Sequence, residues 1–457
     1  MSVGQSGMAG GTPATAPRDP SALLRSRGYL KLLVLAALLG VPVCAVAFGF
    51  LAVVQELQSL VQHDLPRALG FAGAPVWWPL PVLAVGGLLT AVVIRYLPGN
   101  GGHEPADGFA VGGAPAVSAL PGIALAALAS LGSGAVLGPE APLIALGGGL
   151  AVGVVRLLQR DLTDQAAGVV GAAGSFAAVS ALLGSPLLGA FLLMEASGLG
   201  GAVLGAVLVP GLLAAGIGAL IFTGLGDWSG LGTYALTVHG VPKATDPSLP
   251  EFGWALAIGV GAALLGFGVR RLAVLLKNRV VPHRLPATVA MALVVGALAI
   301  AFSEATGKPV AEVLNSGQSA LGTLFEDSTG YSAAALVLLV ACKSLAYCAS
   351  LSSFRGGPIF PAMFLGAAGG MALSQLPGLT ATAAFAMGIG AMTVAMFRLP
   401  MTAVLLATLL LGRPGLTVMP LVIVAVVVAY VLTARLTPVS GTAPRSGAAV
   451  AGEGTRP

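Results

Sequence analysis

Charge is what this sequence has least of: Asp, Glu, Lys and Arg together make up 9% of its 457 residues, where soluble domains carry about 25%. So few ionised groups cannot give the chain a water-facing surface, which excludes an ordinary soluble enzyme or binding module. Cysteine is scarce as well. Cys44, Cys342 and Cys348 form no CxxC pair, so neither a disulfide framework nor a zinc site is expected, and no cofactor is expected either. The four histidines, His63, His103, His239 and His283, fall in expected loops. That leaves Ser133, in its GSG turn, without a base at membrane depth and argues against an intramembrane hydrolase or any other enzyme. No basic, aromatic-rich soluble module is present, so the net charge of +5 implies basic loops and not nucleic-acid binding.

What fills the sequence is apolar. Hydrophobic residues make up 56%, in runs that approach the roughly 20 residues needed to cross a bilayer. Residues 30–436 read as one membrane domain, flanked by a disordered tail at 1–29 and a short one at 437–457. The first run, 32–51, resembles a secretory signal with AVA at 45–47, but its length favours an uncleaved first span. The 66 Gly and 31 Pro stand at the heads of many runs, which predicts broken and short helices. Irregular backbone at membrane depth persists only where it is buried in protein or lines a wet cavity, so interrupted helices point to transport.

Basic residues crowd one loop, Arg270, Arg271, Lys277, Arg279 and Arg284, whereas 304–327 carries Glu304, Glu312, Glu326 and Asp327 against Lys308. The positive-inside rule places the first loop in the cytoplasm and the second outside. Arg18, Arg25, Arg27 and Lys31 before the first span, and Arg435, Arg445 and Arg456 after the last, put both termini in the cytoplasm.

An internal repeat carries more. Residues 138–147 read GPEAPLIALG and residues 357–366 read GPIFPAMFLG, with Gly, Pro, Pro, Leu and Gly at the same spacing. In each half a later Gly precedes by twelve residues a Pro that opens a short apolar helix: Gly174 to Pro186, and Gly388 to Pro400. Two related halves follow, roughly 30–225 and 250–436. If they are inverted, their helix starts meet at the membrane centre.

Each repeated segment is a Gly/Pro loop running into an apolar helix, so first-turn N–H groups and the positive end of the helix dipole converge on one spot. Such a spot binds an anion without a fixed cation, weakly enough to release it. Gly138, Pro139 and Ala141 in the first loop, and Gly357, Ile359 and Phe360 in the second, are the candidate anion-binding positions. Glu140 is the sole charge between Ala110 and Val155, and an ionisable group at that depth is functional by default. It mimics a bound anion when ionised and swings away when protonated, acting as gate and proton carrier. Glu195 is either a proton relay or a solvated helix end. Lys343, alone in its span, either raises the potential of a vestibule or snorkels to an interface.

These residues resemble the CLC family of chloride channels and chloride–proton antiporters. GPEAP at 138–142 is similar to the family's G-K/R-E-G-P, and GGPIFP at 356–361 to G-G-x-F-x-P. PGNGGHEP at 98–105 resembles G-S-G-I-P-E, FRLPMTAV at 397–404 resembles R-x-P-L-T-G, and SPLLGAFLLME at 185–195 resembles A-P-L-A-G-x-L-F-x-x-E. The resemblance implies an all-α polytopic membrane protein with an inverted-repeat fold of many tilted and broken helices. It also implies a homodimer in the plasma membrane, in contact with lipid, that carries chloride or another small anion by proton antiport or passive conduction. Glu140 would be the external gate, and the Ile359 and Phe360 amides the central donors. Asn100, with Gly101 beside it, stands where the family places a chloride-coordinating serine, a position at which a fluoride-exporting branch also departs. Pro358 has no N–H, no tyrosine follows Tyr430, and Ala196 falls where many antiporters keep a proton-relay glutamate. Antiporter, channel and fluoride exporter stay open, with an unrelated inverted-repeat cation transporter as the rival fold.

Overall fold

The computed structural model describes residues 27–437, apart from 110–112, 160–162, 198–200, 233, 237, 239, 240, 243 and 327–329. Asp327, His239, Arg18, Arg25, Arg445 and Arg456 lie outside the described residues. Among the described residues, fifteen α-helices of seven residues or more organise the chain. The first half holds α1 (Arg27–Ser59), α2 (Pro79–Tyr96), α3 (Leu120–Gly132), α4 (Glu140–Leu158), α5 (Asp164–Leu183), α6 (Pro186–Ser197) and α7 (Gly201–Ser229). The second holds α8 (Leu249–Val280), α9 (Arg284–Thr306), the short α10 (Ala320–Glu326), α11 (Ala333–Ser353), α12 (Ile359–Leu373), α13 (Ala381–Phe397), α14 (Pro400–Leu410) and α15 (Met419–Leu436). Residues 27–29, expected in the tail, belong to α1, whose helical backbone runs on through Gly28.

Among the described residues, eight helical segments are long and apolar enough to cross a membrane. One of them, Leu249–Thr306, is broken into α8 and α9 by the tight turn Val281–His283, which contains Pro282. Leu38, Val85 and Leu220 are more than half exposed, as lipid-facing side chains are. In the core, α12 is buried over almost its whole length and α13 at all but its two end residues, although both are too short to span. Close approaches explain how they fit there. Gly366 meets Gly388 between α12 and α13, and Gly147 meets Gly174 between α4 and α5, and in both pairs a Cβ would overlap the partner's backbone. Pro186 and Pro400 open α6 and α14, where the missing N–H costs nothing.

The two halves meet at an antiparallel bridge between Gly138 and Gly357. The Gly138 amide donates to the Gly357 carbonyl at 2.6 Å and the Gly357 amide to the Gly138 carbonyl at 2.5 Å. Chain directions oppose at this bridge, so α4 and α12 leave it in opposite senses. Two serines repeat the symmetry. The Val136 amide donates to Ser350 Oγ at 3.0 Å, and the Arg355 amide to Ser130 Oγ at 3.0 Å, each half holding the other's loop.

Candidate functional site

Glu140 is the first residue of α4 and fully buried. Its Oε1 accepts from the amides of Ile359 and Phe360, the latter at 3.3 Å, at the first turn of α12. Its Oε2 is buried with no protein partner among the described residues. The carboxylate thus sits on the very donors expected for an anion, at the positive end of α12 and against the bridge. Both bridging glycines are needed for it to fit, since a Cβ on Gly138 or Gly357 would overlap the carboxyl group. Tyr347, buried on α11, donates through its hydroxyl to the Pro358 carbonyl at 2.6 Å and so braces the loop that aims those two amides.

Two cavities approach this point. One, of about 310 Å³, is lined by Gly101, Ala141, Pro142, Arg355, Gly356 and Pro358 among others. The other, of about 330 Å³, is lined by Leu137, Pro139, Asn315, Ser316 and Gln318 among others. The basic loop lies towards the first, because Lys277 and Arg284 pair with Glu104 at 2.7 Å each. We label the first cavity inner and the second outer, after the sequence expectation that the basic loop is cytoplasmic.

The structure brings together Glu140, Ile359, Phe360, Gly138 and Gly357, with Pro139 and Ala141 on opposite cavities. Gly138 and Gly357 do not offer anion-binding amides as expected, because the bridge uses both. Asn100 adopts a left-handed backbone, φ 50°, and is exposed. Its carbonyl accepts from Arg355 Nε at 3.3 Å, while Gly99, Gly101 and Gly102 provide the wall of the inner cavity.

Lys343 lines neither of these two cavities and does not snorkel. It is fully buried, and its Nζ donates to the carbonyls of Glu312, Val313, Leu314 and Asn315 at 2.8 to 3.4 Å. The Glu195 carboxylate caps α14, accepting from the amides of Met401 at 2.8 Å and Thr402 at 2.7 Å and from the Thr402 hydroxyl at 2.6 Å. Ser133 Oγ donates to the Ser130 carbonyl at 3.0 Å.

The expectation of a site with no fixed cation needs correction. Arg355 is 2% exposed and lines the inner cavity. Its guanidinium pairs with Glu104, whose Oε1 it reaches at 3.0 Å. The sequence signal was available, because Arg355 is the sole charge between Lys343 and Arg398, the same isolation that singled out Glu140. Tyr347 and the two serines carried no comparable signal.

The all-α fold with central helix starts and a buried acidic group defines a membrane transporter or channel of inverted-repeat design. The pattern of the family described as "Voltage gated chloride channel" matches residues 109–434, and the chain belongs to that family. It is 28% identical over 417 residues to YfeO of Escherichia coli O139:H28 (strain E24377A / ETEC), a protein named for ion transport, covering 90% of this chain and 94% of that one. A relative of the same name from Shigella boydii serotype 4 matches to the same extent. Among solved structures, a slow cyanobacterial Cl⁻/H⁺ antiporter superposes with a TM-score of 0.68 at 19% identity, covering 89% of this chain and 94% of that one. A CLC-type fluoride/proton antiporter superposes with a TM-score of 0.65 at 17% identity, covering 89% and 96%.

Proposed function

We propose that this protein moves small inorganic anions, chloride foremost, across the cell membrane, with Glu140 as gate and proton carrier in an anion–proton exchange. The observation that carries the reading is the Glu140 carboxylate seated on the Ile359 and Phe360 amides where the two halves meet. A carboxylate and a halide compete for the same donors. Protonation removes the charge from the Glu140 acceptor, and hydrogen bonds to an ion are roughly twice as strong as those to a neutral group, so a free anion then takes the amides. The displaced acid releases its proton to a cavity and returns when the anion leaves.

Asn100 and Gly101 belong to the inner approach in this reading, and Ala141 to the first turn of α4 facing it. The protein works as a homodimer embedded in plasma-membrane lipid, with both termini and the basic loop cytoplasmic.

The test is purified protein in liposomes under chloride, fluoride and nitrate gradients, with anion efflux and proton movement recorded together. Uphill proton movement that Glu140→Gln abolishes while anion efflux persists is the expected result. Anion efflux with no proton movement in the wild type replaces exchange by a passive channel, and efflux confined to fluoride changes the substrate. Absence of any anion efflux overturns the reading.

A further inference from the structure

We propose that Arg355 is an anion-attracting residue of the inner cavity, which concentrates the transported anion next to the start of α4, and that Glu104 sets how much of its charge the anion meets. The inference rests on the anion-transport reading above.

The geometry points to a ligand-facing role. A guanidinium has five N–H donors. Three are used, by Nε to the Asn100 carbonyl at 3.3 Å, Nη1 to the Phe354 carbonyl at 3.3 Å and Nη2 to Glu104 at 3.0 Å. Two remain without an acceptor among the described residues, on a side chain that lines a cavity shared with Ala141 and Pro142.

The Arg355 stem is held in place. Gly101, at φ 70°, packs so closely that a Cβ there would stand 3.2 Å from Arg355 Cγ. The Arg355 amide is fixed on Ser130 and its guanidinium on Asn100, Phe354 and Glu104, which holds the cation at the cavity.

Glu104 does not neutralise Arg355 fully, because it is shared. Its carboxylate also meets Lys277 at 2.7 Å and Arg284 at 2.7 Å, and Lys277 in turn reaches Asp107 at 2.6 Å. Three cations face two carboxylates, so the cluster stays positive beside the cavity wall at His103 and Pro105. Low-dielectric walls focus such a field and raise the local concentration of the opposite charge. A cation shared with a carboxylate also holds an anion less tightly than a bare one, which suits release.

Efflux from liposomes loaded with increasing chloride tests this, with Arg355→Gln, Arg355→Lys and Glu104→Gln compared at fixed pH. Arg355→Gln is expected to raise the half-saturating chloride concentration about tenfold, the low end of what a focused field supplies, with little change in maximal rate. Arg355→Lys is expected to stay within about threefold of wild type, and Glu104→Gln to lower the half-saturating concentration. An unchanged half-saturation in Arg355→Gln, or an Arg355→Lys variant as impaired as Arg355→Gln, overturns the proposal and leaves Arg355 a structural clamp. Should Arg355→Gln fail to fold, Glu104→Gln decides alone, and an unshifted half-saturation there overturns it. Wild-type protein that moves no anion sinks the transport reading first and this inference with it, whereas wild-type transport with unshifted variants sinks this inference only.

Discussion

Two absent side chains make the site possible. Gly138 and Gly357 leave the volume that the Glu140 carboxyl fills, and a methyl on either would overlap it. Gly357→Ala is therefore expected to expel the carboxylate from the Ile359 and Phe360 amides and to mimic the protonated state. Its anion efflux should lose most of its dependence on pH, which efflux measured across a pH series would reveal; a wild-type pH profile would show that the carboxylate still binds in place. Tyr347 acts on the same amides from behind, through the Pro358 carbonyl. Tyr347→Phe removes the donor and leaves that buried carbonyl without it, at a cost of about 1–3 kcal/mol. A lower melting temperature in detergent together with weaker chloride binding is the expected outcome, and a drop in melting temperature alone would confine Tyr347 to stability.

Helix starts are the elements on which function depends here, and they were the most legible part of the sequence. The Gly/Pro spacing repeated at 138–147 and 357–366 marked the starts of α4 and α12, since Pro139 and Pro358 immediately precede their first helical residues, although Ala141, read as part of the loop, already belongs to α4. The short α6 and α14 were equally plain from Pro186 and Pro400. What the sequence could not convey was the use to which each amide is put. Gly138 and Gly357 read as donors to an anion, yet the bridge consumes them, because their pairing joins residues 219 positions apart and no local pattern encodes it. Glu195 shows the same limit. From the sequence it was a relay or a solvated end, while in the fold its carboxylate satisfies the first two free amides of α14. Glu195→Ala is expected to destabilise the protein by about 1–2 kcal/mol, the worth of a charged cap on a helix start. Proton-to-anion stoichiometry should be unchanged in the same variant, and a changed ratio would return Glu195 to the proton path.

Across the whole molecule, the charged cluster on Glu104 joins the 97–107 loop to α8, to the start of α9 and to the centre of the second half through Arg355. Burial alone would raise the Glu104 carboxyl, but hydrogen bonds from Lys277 and Arg284 and the charges of Arg355 and Arg284 outweigh it and hold the group at about 2. A glutamate free in an unfolded chain titrates near about 4.3. Because the folded value is the lower one, the ionised form favours the fold, and its contribution is present in full above about 4.3 and lost as pH falls towards about 2. The cluster is thus intact across the range in which a proton-coupled transporter operates, so acid activation there must come from another group, with Glu140 the candidate. Melting temperatures of wild type and Glu104→Gln are expected to differ by a constant amount from about pH 8 to pH 5, and to converge below about pH 4 as the wild-type carboxylate takes up its proton. Efflux from Glu104→Gln should keep the wild-type pH profile over the upper range, while Glu140→Gln flattens it. A Glu104→Gln profile as flat as that of Glu140→Gln would move the pH sensor from the meeting point of the two halves out to the mouth of the inner cavity.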